Sequence, residues 1–296
     1  MQTFSFCRAL EFYRPWIAAR PAVREQLNHE PLGLEVPPEH VFDPWHLDSG
    51  PFLTMAHRLH NLVCGPFGTP MARWVGYDCG LVPGAYFGFG LPAAELNHAI
   101  RAGLEVPDDY TGLVPFSIGI AIPFPDRQSW ELIGLGSINQ VAPGAGPAGL
   151  SRLTLAFATS LLHDEEIWFV CRWRSHLLGV FSGLGPLEVV TAWTPAHDYP
   201  STVTFKIKPD DNARERLLSG AHHDPADVTT YMDGDDVDAM QHLQSDIEAG
   251  LSAYILDEAD DHGTEVLFPL KIVGKQNQFE GTDGYTEKYG DCDADD

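Results

Sequence analysis

The chain has 296 residues, of which 44% are hydrophobic and 11% aromatic, and its formal net charge is −24. This length allows a full hydrophobic core, and the composition is not that of a disordered protein. The strong negative charge repels nucleic acid, so direct binding to DNA or RNA is not expected.

The negative charge is concentrated towards the C-terminal end. Residues 209–296 contain 23 Asp or Glu and 5 Lys or Arg, which leaves a balance of only −6 for residues 1–208. We therefore predict an N-terminal arm (1–49), a folded domain (50–208) and an acidic C-terminal extension (209–296). The extension is interpreted as a solvated surface, with adaptation to high salt and docking of a basic protein partner as alternatives.

No segment has the pattern of a membrane span or a signal peptide. Charges or prolines interrupt the apolar stretches before the roughly eighteen residues of a membrane helix, and the N-terminus lacks a basic-then-apolar layout. The five cysteines form no Cys-x-x-Cys pair, which argues against a disulfide framework or a cysteine zinc site. We expect a cytoplasmic protein with reduced thiols and no membrane partner.

The hydrophobic pattern, in chain order, predicts strands and helices that favour an α+β fold with a twisted, mostly antiparallel mixed sheet flanked by helices. The strand at 201–208 alternates cleanly and is predicted at a sheet edge. The predicted helices cover 51–64, 92–103, 149–162, 176–182 and an amphipathic stretch at 235–257. The predicted strands cover 73–79, 84–90, 114–123, 131–141, 166–173, 187–193, 201–208 and 266–273.

A glycine-rich loop follows the predicted strand at 131–141. It reads Ala142-Pro-Gly-Ala-Gly-Pro-Ala-Gly-Leu-Ser151 and leads directly into a predicted helix. Glycines leave backbone N–H groups unobstructed, and a helix N-terminus favours negative charge. The segment therefore predicts a cradle for a phosphate or pyrophosphate, the alternative being a plain loop between buried elements.

Over about residues 131–193 the chain resembles the GNAT superfamily of acyl-CoA-dependent N-acyltransferases. Val141-Ala142-Pro143 stands where the family usually has valine-x-proline, and Gly146-Pro147-Ala148-Gly149-Leu150 stands where its G-x-G/A-x-G loop would be. Leu184-Gly185-Pro186 resembles the family's terminal L-G-F. The chain departs from the pattern at three positions. They are Pro143 for the loop-opening basic or amide residue, Arg174 for an Asn, and Phe181 for the Tyr that is a general acid in many members.

The resemblance implies that acyl-CoA binds as a co-substrate, with its pyrophosphate on the loop and its pantetheine amides along the backbone near residues 139–141. The implied binding residues are Val141, Gly144, Gly146, Ala148, Gly149, Leu150 and Ser151. An amine must be neutral to attack a thioester, so a base or an ordered water is needed near the preceding strand. We expect Asn139 and Ser137 to hold that water, because both share one face of the predicted strand with Glu131.

Two further roles are predicted. Ser182 or Ser175 would take the place of the family's Tyr, unless the thiolate leaves unprotonated, which a thiol pKa near 8.5 allows. Asp78 would recognise a cationic amine, or it is simply a turn residue. No metal is expected, because His57, His60 and Cys64 share a helix face without a zincin motif and are better interpreted as core residues.

These observations lead to the expectation of an enzyme that moves an acyl group from a pantetheine thioester to an amine of a small molecule or a protein. The alternatives are a lyase or thioesterase acting on a similar ligand, or a non-catalytic module that docks a basic partner through residues 209–296. The acyl group, the acceptor and homodimer formation are left open. P-loop, Rossmann and Gly-x-Ser-x-Gly motifs do not occur in the sequence.

Overall fold

The computed structural model describes residues 13–67, 70–72, 84–125, 129–163, 165–195, 201–219, 227–261 and 266–274. Across these residues the protein has an α+β fold with a large mixed sheet, as the sequence predicts. None of the helices in the described residues combines the length and apolarity needed to cross a bilayer.

Within the described residues the sheet contains thirteen strands. They are β1 (Arg14–Ala18), β2 (Val41–Phe42), β3 (Ala85–Pro92), β4 (Leu113–Pro115), β5 (Ser117–Pro123), β6 (Ser129–Ser137), β7 (Glu166–Arg172), β8 (Leu187–Thr191), β9 (Thr202–Ile207), β10 (Thr230–Asp233), β11 (Ser252–Ile255), β12 (Asp260–Asp261) and β13 (Val266–Val273). The α-helices are α1 (Pro21–Arg24), α2 (Gly50–Cys64), α3 (His98–Gly103), α4 (Leu150–Leu161), α5 (His176–Ser182), α6 (Ala213–Ser219) and α7 (Val237–Glu248).

The strand order is β10-β13-β11-β8-β9-β7-β6-β5-β3-β1-β2, with β4 added to β3 and β12 added to β13. Parallel pairing joins β1 to β2 and β6 to β7. The other described pairs are antiparallel, as in the hairpin of β5 and β6. Strands from before residue 50 and after residue 208 therefore hydrogen-bond into the same sheet as the strands between, and the three-part division of the chain stays a prediction.

Helices α2 and α4 cover opposite faces of the middle of this sheet. Helix α4 is buried along most of its length, and Phe157 packs its ring against Phe89 of β3 with centroids 5.2 Å apart. Helix α2 packs on the other face of β6. Burial of both apolar faces is the main force that holds the layers together.

Two glycines let α2 approach β6 closely. A Cβ atom at Gly136 would lie 2.2 Å from Cγ1 of Val63, and one at Gly134 would lie 2.6 Å from Nε2 of His60. Gly134 also has a left-handed φ of 63°, which other residues rarely adopt. Glycine at both positions is therefore what allows the helix to lie directly on this strand.

Several predicted elements are confirmed to within a few residues. They are the helices at 51–64, 149–162 and 176–182 and the strands at 166–173, 187–193 and 266–273. The predicted helix at 92–103 is split into a 3₁₀ turn, Ala93–Glu95, and α3. The split occurs because Asn97 caps α3 by accepting a hydrogen bond from the Ile100 amide at 2.9 Å. The predicted strand at 73–79 lies outside the described residues.

Three other predictions are wrong. The strand predicted at 131–141 ends at Ser137 and is followed by a 3₁₀ turn, Ile138–Gln140, because Ser137 and Gln140 form a capping box. The strand at 201–208 lies between β7 and β8 rather than at an edge, and its alternation reflects the half-exposure of one face. The helix predicted at 235–257 ends at Glu248, because Gly250 adopts a left-handed φ of 99° and the chain then enters β11.

Candidate functional site

The candidate site is a cleft between the parallel strands β6 and β7. The two strands pair only over 129–132 and 166–169, and beyond these residues a cavity of about 370 Å³ lies between them. Ligands of α/β sheets commonly bind at the carboxyl ends of strands that part in this way. The cavity is lined by Val63, Cys64, Gly134, Leu135, Gln140, Val170, Cys171, Arg172, Arg174, Ser175, His176, Leu177 and Thr202.

The separation begins at an irregularity in β6. The register between β5 and β6 shifts between Ile118 and Ile120, opposite the left-handed Gly134. A bulge of this kind bends a strand and turns its backbone groups away from a regular neighbour. The local sequence of β6 thus accounts for the parting of the two strands.

A hydrogen bond joins the chain segments that follow the two strands. The side-chain amide nitrogen of Gln140, after β6, lies 3.1 Å from Nε2 of His176, the first residue of α5 after β7. The Oε1 atom of Gln140 accepts a hydrogen bond from the Ser137 amide at 2.7 Å. Burial lowers the pKa of the His176 imidazole, so the ring is neutral at neutral pH.

The charged lining of the cavity is basic although the whole chain is acidic. Arg172 and Arg174 both line it, and none of the described lining residues is Asp or Glu. Arg174 bonds Asp235 at 2.7 Å through its guanidinium, which fixes the direction of that side chain. A cavity with two guanidinium groups and no lining carboxylate favours an anionic ligand.

The two thiols of the cavity are not nucleophiles at neutral pH. Burial raises the pKa of Cys64 to about 11. Burial also raises the pKa of Cys171 well above its usual range. Since the thiolate is the reactive form, both residues act as small apolar lining groups.

The glycine-rich loop is largely occupied by its own hydrogen bonds. The amide of Gly146 donates to Oδ1 of Asn139 at 2.7 Å, and the amide of Ala145 donates to the Ala142 carbonyl at 2.9 Å. The N-cap of α4, Gly149, has a left-handed φ of 82°. The first amides of an α-helix lack intrahelical acceptors, so the donors best suited to an anion lie at Gly149 and Ser151.

The remaining loop residues predicted to bind the ligand differ in exposure. Val141, Gly144 and Ala148 are exposed, and Leu150 is buried beneath the loop. Gly144 has a left-handed φ of 80°, and no atom of the described residues beyond its chain neighbours lies within 4 Å of a Cβ atom built on it. The loop therefore presents an exposed backbone surface above a buried anchor.

Asn139 and Ser137 hold the local fold together. Asn139 donates from Nδ2 to the Pro147 carbonyl at 2.8 Å, in addition to accepting from Gly146. Ser137 is buried, its hydroxyl accepts a hydrogen bond from the Gln140 amide, and it lies 3.3 Å from the hydroxyl of Ser151. The sequence predicted that Asn139 shares a strand face with Glu131. This prediction is wrong, because β6 ends at Ser137 and Asn139 lies in the 3₁₀ turn that follows.

The other predicted residues lie elsewhere. Ser182 is buried at the end of α5, where its hydroxyl donates to the Gly179 carbonyl at 3.0 Å. Asp78 lies outside the described residues. His57 Nε2 contacts the Met71 carbonyl at 2.8 Å, and His60 Nδ1 is 3.3 Å from the side-chain oxygen of Asn61. No group of three potential metal ligands is found in the part of the chain that the structure describes.

A wider cavity, of about 520 Å³, lies at the opposite end of α4. Its polar floor is already paired: Asn28 donates to the Ser160 carbonyl at 3.0 Å, and the Ser160 hydroxyl accepts from the Leu32 amide at 2.7 Å. We therefore regard the cleft between β6 and β7, which lies where two parallel strands part and is lined by two arginines and a histidine, as the better candidate site.

The sequence reasoning missed three lining residues, namely Gln140, Arg172 and His176. The signal for Gln140 was present, since Ser137-x-x-Gln140 has the form of a capping box. His176 could have been recognised as a candidate because it lies between a predicted strand and a predicted helix, at the first residue of that helix. Neither pattern indicates by itself that the two side chains meet.

Comparison with protein-family models and with curated proteins gives no match for this chain. The geometry of the cleft therefore carries the functional argument.

Proposed function

We propose that the protein is an acyl-CoA-dependent N-acyltransferase that binds a pantetheine thioester in the cleft between β6 and β7. The observation that carries the proposal is that these parallel strands pair at their N-terminal ends and separate towards their C-terminal ends. Gly134 and Leu135 of β6 and Val170 and Cys171 of β7 therefore line opposite sides of a cavity. An extended ligand with amide groups can hydrogen-bond to the side of a strand on which the neighbouring strand has separated.

The charge of the cleft supports an anionic co-substrate. Arg172 and Arg174 line the cavity, and the first turn of α4 lies next to the end of β6 through the contact of Ser151 with Ser137. Guanidinium groups and helix N-termini are common partners of phosphates. CoA carries its charge on phosphates, so its nucleotide end would lie at these groups and its pantetheine arm between the strands.

The chemical step joins an amine to the acyl carbon. The amine nitrogen attacks the thioester carbonyl, a C–N bond forms, the C–S bond breaks, and CoA leaves as a thiolate. Phe181, at the position of the family's Tyr, packs against Phe169 and Phe205 with ring centroids 4.3 and 5.6 Å away. The side chain at this position therefore belongs to the core and supplies no proton to the thiolate.

A thermal-shift titration with CoA and acetyl-CoA tests the binding claim. CoA at about a hundred times its Kd would stabilise the folded protein by about 2.7 kcal/mol. For a chain of this size that corresponds to a Tm increase of about 5 °C. A Tm unaffected by millimolar CoA and acetyl-CoA would overturn the proposal.

A matched pair of variants localises the binding. Val170 lines the cleft and is 42% exposed, whereas Val273 is 39% exposed at the end of β13. We expect Val170→Trp to abolish the CoA-dependent shift, because the indole fills the cavity, and Val273→Trp to retain it. Equal shifts in the two variants would place the ligand elsewhere.

Release of free CoA from acetyl-CoA, followed with a thiol reagent, separates the enzyme classes. An N-acyltransferase releases CoA only when a primary amine is supplied, and a thioesterase or lyase releases it without one. A non-catalytic module releases none. A cytoplasmic location and a basic partner for the acidic residues of 209–296 remain predictions.

A further inference from the structure

We propose that His176 is the general base of the cleft and that Gln140 is the residue that positions it. The inference rests on the proposed acyl transfer and assigns the group that takes the proton from the attacking amine. It also replaces the water that the sequence had suggested between Asn139 and Ser137, whose side chains are occupied in the fold.

The hydrogen bonds of Gln140 fix the tautomer of His176. The Oε1 atom of Gln140 accepts from the Ser137 amide at 2.7 Å, so its amide nitrogen is the atom 3.1 Å from His176 Nε2. A side-chain amide nitrogen can only donate. His176 Nε2 must therefore carry the lone pair, and the ring proton lies on Nδ1.

The surroundings keep the ring neutral. His176 is an exposed residue, but partial desolvation of its ring lowers the pKa of the imidazole. The charged groups lining the same cavity are Arg172 of β7 and Arg174, and the latter is paired with Asp235. The titratable groups are the protonated thiols of Cys64 from α2 and Cys171 from β7. Desolvation disfavours the imidazolium, so at neutral pH the ring is neutral and its Nε2 lone pair accepts the Gln140 hydrogen bond.

The position of His176 follows from the strands on either side. Ser175 accepts a hydrogen bond from the Leu177 amide and so starts α5 immediately after β7, which holds the imidazole in the cleft. Gln140 reaches the imidazole from the segment after β6. The pair thus joins the two sides of the cleft where a bound thioester would lie between the strands.

Another acid–base group lies nearby but does not face the cavity. Burial raises the pKa of Glu131, which is a candidate base by its chemistry. Glu131 lies opposite Trp168, where β6 and β7 still pair, and it is absent from the cavity lining. Among the described residues that line the cleft, His176 is the imidazole or carboxylate available to accept a proton.

His176 carries the proton from the attacking amine to the leaving thiolate. The amine displaces the Gln140 donor from Nε2 of His176, its nitrogen forms the C–N bond, and its proton passes to Nε2. The C–S bond breaks, and the departing thiolate takes that proton from the imidazolium. The products are the amide and free CoA, and His176 is neutral again.

Gln140→Glu is the sharpest test. The carboxylate keeps an acceptor for the Ser137 amide but offers His176 a negative charge in place of a donor, which raises the pKa of the imidazole. A neighbouring opposite charge shifts a pKa by about 1–3 units. We expect the rising limb of kcat/KM against pH to move up by at least about one unit, so that activity is lost at pH values below the shifted limb and retained above it.

Replacement of His176 itself provides a second test of the assignment. We expect His176→Ala to lower kcat by about a hundredfold or more, with partial recovery in added imidazole, and to keep the CoA-dependent Tm shift. His176→Asn provides a variant of similar polarity should the alanine variant fold poorly, and His242→Ala, at an exposed histidine of α7, is the matched control.

The assignment of His176 is overturned if the rising limb of kcat/KM against pH is unchanged in Gln140→Glu. It is also overturned if either His176 variant keeps the full kcat. The proposed acyl transfer stands in both cases. A wild-type protein that binds CoA but transfers no acyl group to any amine overturns the proposed function, and the assignment of the base with it.

Discussion

Replacing Gly136 with alanine tests the packing that shapes the cleft. The added Cβ would lie 2.2 Å from Cγ1 of Val63 and 2.7 Å from Oε1 of Gln140, against an ordinary contact of about 3.5–4.0 Å. Overpacking of this kind costs about 1–3 kcal/mol. Displacement of Gln140 from the Ser137 amide adds about 1 kcal/mol. We therefore expect a loss of about 2–4 kcal/mol, or about 4–8 °C in Tm.

Gly103→Ala is the matched control for this experiment. Gly103 ends α3, and nothing lies within 4 Å of a Cβ built on it. Alanine is favoured over glycine in helices by about 0.5–1 kcal/mol, so this variant should be neutral or slightly stabilised. Urea unfolding followed by circular dichroism measures both. Equal midpoints for the two variants would refute the close approach of α2 to β6.

Two further predictions concern groups near the cleft. Burial lowers the pKa of His60 in the folded protein, with His57 adding to this and Asn61 opposing it. The unfolded chain therefore binds the proton first, and stability should fall as the pH drops below about 6.5. The urea midpoint should decrease less between pH 7.5 and 5.5 in His60→Gln than in the wild type, and an identical decrease would contradict this. Because burial raises the pKa of Cys64 to about 11, its alkylation by iodoacetamide at pH 8 should be about 100-fold slower in the native protein than in urea. Mass spectrometry of the Cys64 peptide measures both rates, and comparable rates would show that the thiol is not buried.

The sequence predicts well the elements that are defined by a local apolar pattern. Helix α4 and helix α5 are found within a residue of their predicted ends, because their apolar spacing and the flanking glycines act over a few residues. The strand at 266–273 is also predicted at its observed position. In these segments local preference and tertiary packing favour the same structure.

The structural features that the sequence does not predict depend on contacts between distant parts of the chain. Ser252–Ile255 continues the helical stripe of α7 in sequence, yet it forms a strand because β8 and β13 pair with it on both sides. The position of β9 inside the sheet likewise depends on which strands flank it. The meeting of Gln140 and His176 requires β6 and β7 to be parallel neighbours that separate, which a one-dimensional pattern does not specify.

Hydrogen–deuterium exchange with and without CoA tests the central claim most directly, because it locates the ligand on the backbone. The account predicts slower exchange in peptides covering 133–140 and 170–177 on either side of the cleft, and unchanged exchange in β10 and β13 at the far end of the sheet. Binding of CoA without added protection at 133–140 and 170–177 would contradict it.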